Sequence, residues 1–245
     1  MRLREHIHLV ASGGMGLSGA GDCNVYAIES QGDILLIDCG LSPDPEKILC
    51  NLREDGLDPG NIRGVLLTHV HPDHAGAVPA FQKMGVPILC GDVSARILRE
   101  GLSSYYRMDT LPDSGFHRFL AATPQAEADR ILEDGEEIQV GDLKVQMHVL
   151  PAHTPDSVCY SLKLGRDLHL FTGDTLFYPG HINHFAYPLS LAAGYPEVIR
   201  RLAAMAPEGL YPGHAMFTVA RAKQCTDAAM ECIKNGTLPP TKSYS

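Results

Sequence analysis

The sequence predicts an α/β protein in which two sheets pack together and helices cover both outer faces. Three observations predict it. Short strand-like runs alternate with helical ones, with no long Pro/Gly/Ser linker between them. The order of strands followed by helices occurs twice. DILLIDCG (33–40) in the first half resembles DLHLFTGD (167–174) in the second, each an apolar strand ending in Asp and a small residue.

The elements follow in order. HIHLV (6–10), NVYAIE (24–29) and DILLID (33–38) read as strands from their β-branched and apolar content. PEKILCNLRED (45–55) reads as a helix stopped by Gly56. IRGVLL (62–67) is a strand, and HAGAVPAFQKM (74–84) a helix ending at Gly85. VPILC (86–90) is a strand, and VSARILREG (93–101) a helix with its own Gly stop. Strands return as EEIQV (136–140), LKVQMHVL (143–150), SVCYSLKL (157–164) and DLHLFT (167–172). Helices PEVIRRLAAM (196–205) and ARAKQCTDAAMECIKN (220–235) flank a short strand, GLYP (209–212). Two segments stand outside the pattern. ASGGMGLSGAGD (11–22) lacks GxGxxG and a following helix, so it reads as a hairpin loop and not a phosphate cradle. Residues 101–128 have no periodicity, yet carry Tyr105, Tyr106, Phe116, His117 and Phe119. Long irregular connections in compact domains are functional or disordered, and the aromatics argue for burial. This segment is expected to cover the active site, or to pack against a second subunit in a homodimer.

Composition narrows the function. A chain of 245 residues, 44% hydrophobic, suits one large domain, expected over 1–245. A net charge of −9 without a basic run excludes a nucleic-acid binder held by phosphate contacts. MRLREHIHLV has no apolar core of a signal peptide, and no window approaches 18 apolar residues. The seven cysteines lack CxxC spacing and read as small buried residues of a reducing compartment. A cytoplasmic protein away from membranes, acting on a small molecule, is the expectation.

THVHPDH (68–74) carries the chemistry, because burying so many ionisable groups is costly without a partner. In an extended segment residues i and i+2 point the same way, so His69 and His71 can reach one point. Pro72 turns the chain, and Asp73 and His74 face a neighbouring point. Three later strand ends carry metal-type side chains: His153 in LPAHTP, Asp174 in LFTGDTLF and His214 in LYPGHAM. Ligands collect beyond the carboxyl ends of strands in open α/β architectures. Imidazole with carboxylate suits Zn, Mn or Fe. His181 and His184, in GHINHF, are candidates to line the site, whereas His6, His8, His117, His148 and His169 read as structural.

These residues, in this order, resemble the metallo-β-lactamase fold superfamily over almost the whole chain. The resemblance rests on Asp38 in LLIDCG, H-x-H-x-D-H at 69–74, His153, Asp174 and His214. It implies an αββα four-layer sandwich with two divalent metal ions, Zn expected and Fe or Mn compatible. By the resemblance His69, His71 and His153 hold one metal, Asp73, His74 and His214 the second, and Asp174 bridges them. The resemblance also implies that Asp38 orients ligands or a loop, and that Asp73 doubles as a catalytic residue that orients the nucleophile. A metal-bridging hydroxide would then attack a carbonyl or phosphorus centre. FTGDTLF is similar to the matching stretch of hydroxyacylglutathione hydrolases, which implies a thioester or lactone substrate. The sequence departs from that branch at PGHINHF, at the tail NGTLPPTKSYS and at Asp156 in HTPDS. The rival readings are a mononuclear-iron persulfide dioxygenase, held by His69, His153 and Asp174, and a non-catalytic metal-binding member.

Overall fold

The computed structural model describes residues 1–108, 114–185 and 189–242, with Phe116 by its main chain alone. The chain forms two compact units, Met1–Glu133 with Gln139–Asp142, and Asp134–Ile138 with Leu143–Ser245.

The first unit is built on a seven-stranded sheet in sequence order. Its strands are β1 (Arg2–Arg4), β2 (Ile7–Ala11), β3 (Val25–Ser30), β4 (Asp33–Ile37), β5 (Ile62–Leu66), β6 (Ile88–Gly91) and β7 (Arg130–Leu132). β1 to β4 pair antiparallel, and β4 to β7 pair parallel. Parallel neighbours need a crossover, and helices supply it: α1 (Glu46–Glu54) before β5, and α2 (Pro72–Ala75) with α3 (Val78–Lys83) before β6. α1 buries Ile48, Leu49, Asn51 and Leu52 on one face, as a helix with its apolar positions three and four apart must.

The expected helix over 74–84 is two short ones that start earlier, at Pro72. Proline suits the first turn of a helix, where its missing N–H is not needed, and Pro72 and Pro79 each take such a place. Between them the Gly76 N–H donates to the Gly40 carbonyl at 2.8 Å. The segment 11–22 is the β2–β3 hairpin connection, closed by Gly13 N–H to the Asp22 carbonyl at 3.1 Å. Within 101–128 there is more order than the sequence suggests. After α4 (Asp92–Glu100) come α5 (Leu102–Tyr105) and α6 (Gly115–Leu120), the latter capped by the Ser114 hydroxyl accepting from His117 N–H. Residues 109–113 and the Phe116 side chain lie outside the described residues.

The second unit is built on a five-stranded sheet, ordered β12-β11-β10-β9-β8. Its strands are β8 (Glu137–Val140), β9 (Leu143–Val149), β10 (Val158–Leu164), β11 (Asp167–Gly173) and β12 (Gly209–Pro212). Helices α7 (Tyr195–Ala204) and α8 (Lys223–Lys234) pack on it through Leu150, Cys159, Leu170, Ile199, Leu202 and Cys225. α8 starts later than expected because Arg221 has a left-handed backbone, φ 60°, incompatible with a helix.

The duplication visible in the sequence is also topological. β2-β3-β4-β5 pair antiparallel, antiparallel, parallel, and so do β9-β10-β11-β12. Asp38 follows β4 as Asp174 follows β11, and the 69–74 cluster follows β5 as His214 follows β12.

Candidate metal centre

In the first unit the site is organised by Asp38. This residue ends β4 in a left-handed conformation, φ 63°, which Asp tolerates better than bulkier residues. Its buried carboxylate accepts from Thr68 N–H at 2.7 Å, from the Thr68 hydroxyl at 2.8 Å and from His74 Nδ1 at 2.8 Å. The Thr68 hydroxyl, having given its proton to Asp38, accepts from His69 Nδ1 at 3.1 Å. Both histidines therefore carry their proton on Nδ1, which leaves the Nε2 lone pair to face a cation.

The remaining ligand residues are set by the main chain. His71 is the last extended residue before α2, and Asp73 lies in its first turn. The Asp73 carbonyl accepts from Cys23 N–H at 3.3 Å, and the His74 carbonyl from Cys39 N–H at 2.8 Å. His69, His71, Asp73 and His74 are all buried. Ring centroids of His69 and His71 are 4.6 Å apart, and those of His69 and His74 4.1 Å. His74 Nε2 is 3.6 Å from Asp73 Oδ2. Burial pushes the Cys23 thiol, beside these residues, up to about 12.

In the second unit His153, Asp174 and His214 converge. One oxygen, Asp174 Oδ2, lies 3.8 Å from His153 Nε2 and 3.5 Å from His214 Nε2. Gly173, at φ 48°, turns the chain out of β11 just before Asp174, and its carbonyl accepts from Gly213 N–H at 2.8 Å beside His214. His153 Nδ1 donates to the Asn183 carbonyl at 2.9 Å, so here too Nε2 is the nitrogen with a lone pair to offer.

These separations test the fit to a metal. Distances of 3.5–3.8 Å are too long for hydrogen bonds. They are close to the edge of a tetrahedron of ligands at about 2.0–2.1 Å from a zinc ion, roughly 3.3 Å. The donors are imidazole nitrogens and carboxylate oxygens, the set that suits Zn, Mn or Fe. The seven expected ligands thus fall into two converging sets, four in the first unit and three in the second.

Other histidines serve the fold. His6 Nδ1 donates to the Glu29 carbonyl, His8 pairs with Asp55, and His148 Nε2 bonds the Ser161 hydroxyl. His181 and His184 flank Asn183, whose carbonyl, and not either imidazole, meets His153. Thr68, Asn183 and Tyr195, whose hydroxyl donates to Asn183, are contacts that sequence reasoning missed. Thr68 abuts the motif and could have been found there, whereas the other two lie 30 or more residues from the ligand they support.

Residues 18–214 match the family model described as the metallo-beta-lactamase superfamily. The chain is 30% identical over 163 residues to the Bacillus subtilis protein named "Probable metallo-hydrolase YqgX", covering 66% of this chain and 70% of that one. It is 30% identical over 197 residues to a hydroxyacylglutathione hydrolase of Anaeromyxobacter dehalogenans, covering 79% of this chain but only 61% of the relative's length. A metallo-beta-lactamase family protein of Thermus thermophilus superposes with a TM-score of 0.72 at 19% identity, over 96% of this chain and 81% of that one. This likeness shows the fold expected from the sequence, the α/β fold of the αββα class. With its ligand residues inside the matched region and its fold shared, the chain belongs to the metallo-beta-lactamase superfamily.

Proposed function

We propose that the protein is a dinuclear metal-dependent hydrolase acting on a small ester-like substrate, a thioester or a lactone. The observation that carries this reading is the commitment of His69, His74 and His153 through Nδ1, which turns Nε2 of each towards a cation beside the carboxylates of Asp73 and Asp174. His69, His71 and His153 are proposed to hold one ion, Asp73, His74 and His214 the other, with Asp174 shared. Divalent ions held there would supply an activated water, with a pKa near 7, and would polarise a substrate carbonyl. The chain's residues do the rest. Asp73 is proposed to orient the attacking water through a carboxylate oxygen. Asp38 keeps His74 in the tautomer that binds a cation, and through Thr68 does the same for His69. Burial of His69, His71, Asp73, His74, His153 and Asp174 keeps bulk water from these ligands and strengthens their electrostatic contacts.

The substrate class is supported by FTGDTLF around Asp174 and by the named activity of the Anaeromyxobacter relative. Glutathione itself is not proposed, because PGHINHF and NGTLPPTKSYS depart from the pattern of that branch. The experiment is elemental analysis of protein saturated with Zn, Mn or Fe, with an ester, thioester and lactone panel. The expected result is two ions per chain and turnover of a thioester or lactone. One iron per chain with oxygen uptake on a persulfide would instead establish the dioxygenase reading.

A further inference from the structure

Tyr195, at the start of α7, lies 42 residues from His153, and no motif connects them. In the structure its hydroxyl donates to the Asn183 main-chain carbonyl at 2.5 Å. The same oxygen accepts from His153 Nδ1 at 2.9 Å. A carbonyl oxygen has two lone pairs, and here both are used. Tyr195 is fully buried and His153 likewise. The Ser190 hydroxyl donates to the His153 carbonyl and accepts from Phe185 N–H at 2.8 Å, and the Phe185 ring lies 5.3 Å from the imidazole.

We propose that Tyr195 is a positioning residue for the metal ligand His153, acting through the Asn183 carbonyl. The physical argument concerns rotation. A carbonyl held by one donor can swing with its peptide, and the imidazole it orients swings with it. A second donor, rooted in the first turn of a packed helix, pins the peptide plane. That fixes both the direction of the imidazole and its Nδ1–H tautomer. His74 has a carboxylate for this purpose, whose charge holds the tautomer directly. His153 Nδ1 donates to a neutral main-chain carbonyl, so the direction of this bond depends on what holds that carbonyl. The inference rests on the reading of His153 as a metal ligand, but the tautomer it predicts exists without metal.

The experiment uses the whole chain with Tyr195→Phe, which removes one oxygen and keeps the ring. Long-range proton–nitrogen NMR of the metal-free protein reports the His153 tautomer. The wild type is expected to be Nδ1–H, and the variant to mix both tautomers. Zinc affinity, measured by competition with a chromophoric chelator, is expected to fall roughly tenfold, the low end for groups that support a ligand. A folded Tyr195→Phe protein with an unchanged His153 tautomer and zinc affinity overturns the proposal. If that variant does not fold, fluorotyrosine at 195 keeps the shape and strengthens the donor. A shifted His153 Nδ1–H resonance supports the coupling, and an unshifted one overturns it. Wild-type His153 signals that ignore added zinc would overturn the ligand reading instead, while leaving the tautomer result to stand.

Discussion

At the scale of single residues, Asp38 shows how a buried charge is tolerated. Its carboxylate gathers three hydrogen bonds and so satisfies the donors of Thr68 and His74 along with itself. Replacing it leaves Thr68 N–H and a buried imidazole N–H without an acceptor, the costly side of hydrogen-bond energetics. Asp38→Ala is expected to destabilise the metal-free protein by about 3 kcal/mol, read from urea unfolding. A change under about 1 kcal/mol would show that water or another group replaces the carboxylate. His148 makes a pH prediction. Burial is the main cause that lowers its pKa below 6.5, with Arg201 adding to this and Asp134 opposing it. The folded state then resists protonation more than the unfolded chain does. Its contribution is present above about pH 6.5 and is lost as pH falls through the lower folded value. His148→Gln should therefore show a smaller drop in Tm between pH 7.5 and 5.5 than wild type, and an equal drop would remove His148 from the account.

At the scale of elements, the junction of α2 and α3 depends on a missing side chain. A Cβ on Gly76 would lie 2.1 Å from the Leu41 carbonyl oxygen and 2.8 Å from that of Gly40. These are main-chain atoms of the connection that follows Asp38, and they cannot swing aside as a side chain can. Gly76→Ala is expected to cost about 2–3 kcal/mol and to weaken metal binding through its neighbour His74. Gly85→Ala serves as the comparison. Nothing lies within 4 Å of its Cβ position, so only the strain of φ 78° acts, about 1 kcal/mol, with metal affinity intact. The segment after α4 is tied to the ligand cluster by the Thr123 hydroxyl, which donates to the Val70 carbonyl at 2.9 Å, between His69 and His71. Tyr105 and Tyr106 stand edge to face, centroids 5.1 Å apart, and with Phe119 are half-buried. Such a segment is suited to form a wall that selects substrate. Tyr105→Ala and Phe119→Ala, made singly, should reorder the substrate panel with metal content retained. Altered oligomer size or lost stability with the ranking intact would assign the aromatics to packing.

At the scale of the whole molecule, the two units share one topology and place their chemical groups at matching strand ends. Asp38 and Asp174 occupy equivalent places but do different work. Asp38 is engaged by Thr68 and His74 Nδ1, whereas Asp174 Oδ2 faces two Nε2 atoms at ligand spacing. Asp174→Ala is accordingly expected to remove at least one metal ion per chain and most of the activity. Elemental analysis with turnover measurements checks it, and unchanged metal content with activity within a few-fold of wild type would refute the shared carboxylate. Among the described residues no helix is long and apolar enough to cross a membrane.

Sequence alone determined the fold class, most strands and the seven His and Asp residues proposed as ligands. That information is local: apolar runs bounded by Gly and Asp, and residue types that are expensive to bury without a cation. It could not determine where helices break, because Gly76 and Arg221 act through a contact and a backbone angle that appear only in three dimensions. It passed over β1 and β7, which are three residues each and owe their state to a partner strand. Only the tertiary structure decided the tautomers. A histidine's preferred nitrogen depends on the atom opposite it, and those atoms belong to Asp38, Thr68 and the Asn183 main chain. For Asn183 that atom is a carbonyl oxygen, which every residue type possesses and no sequence pattern can mark.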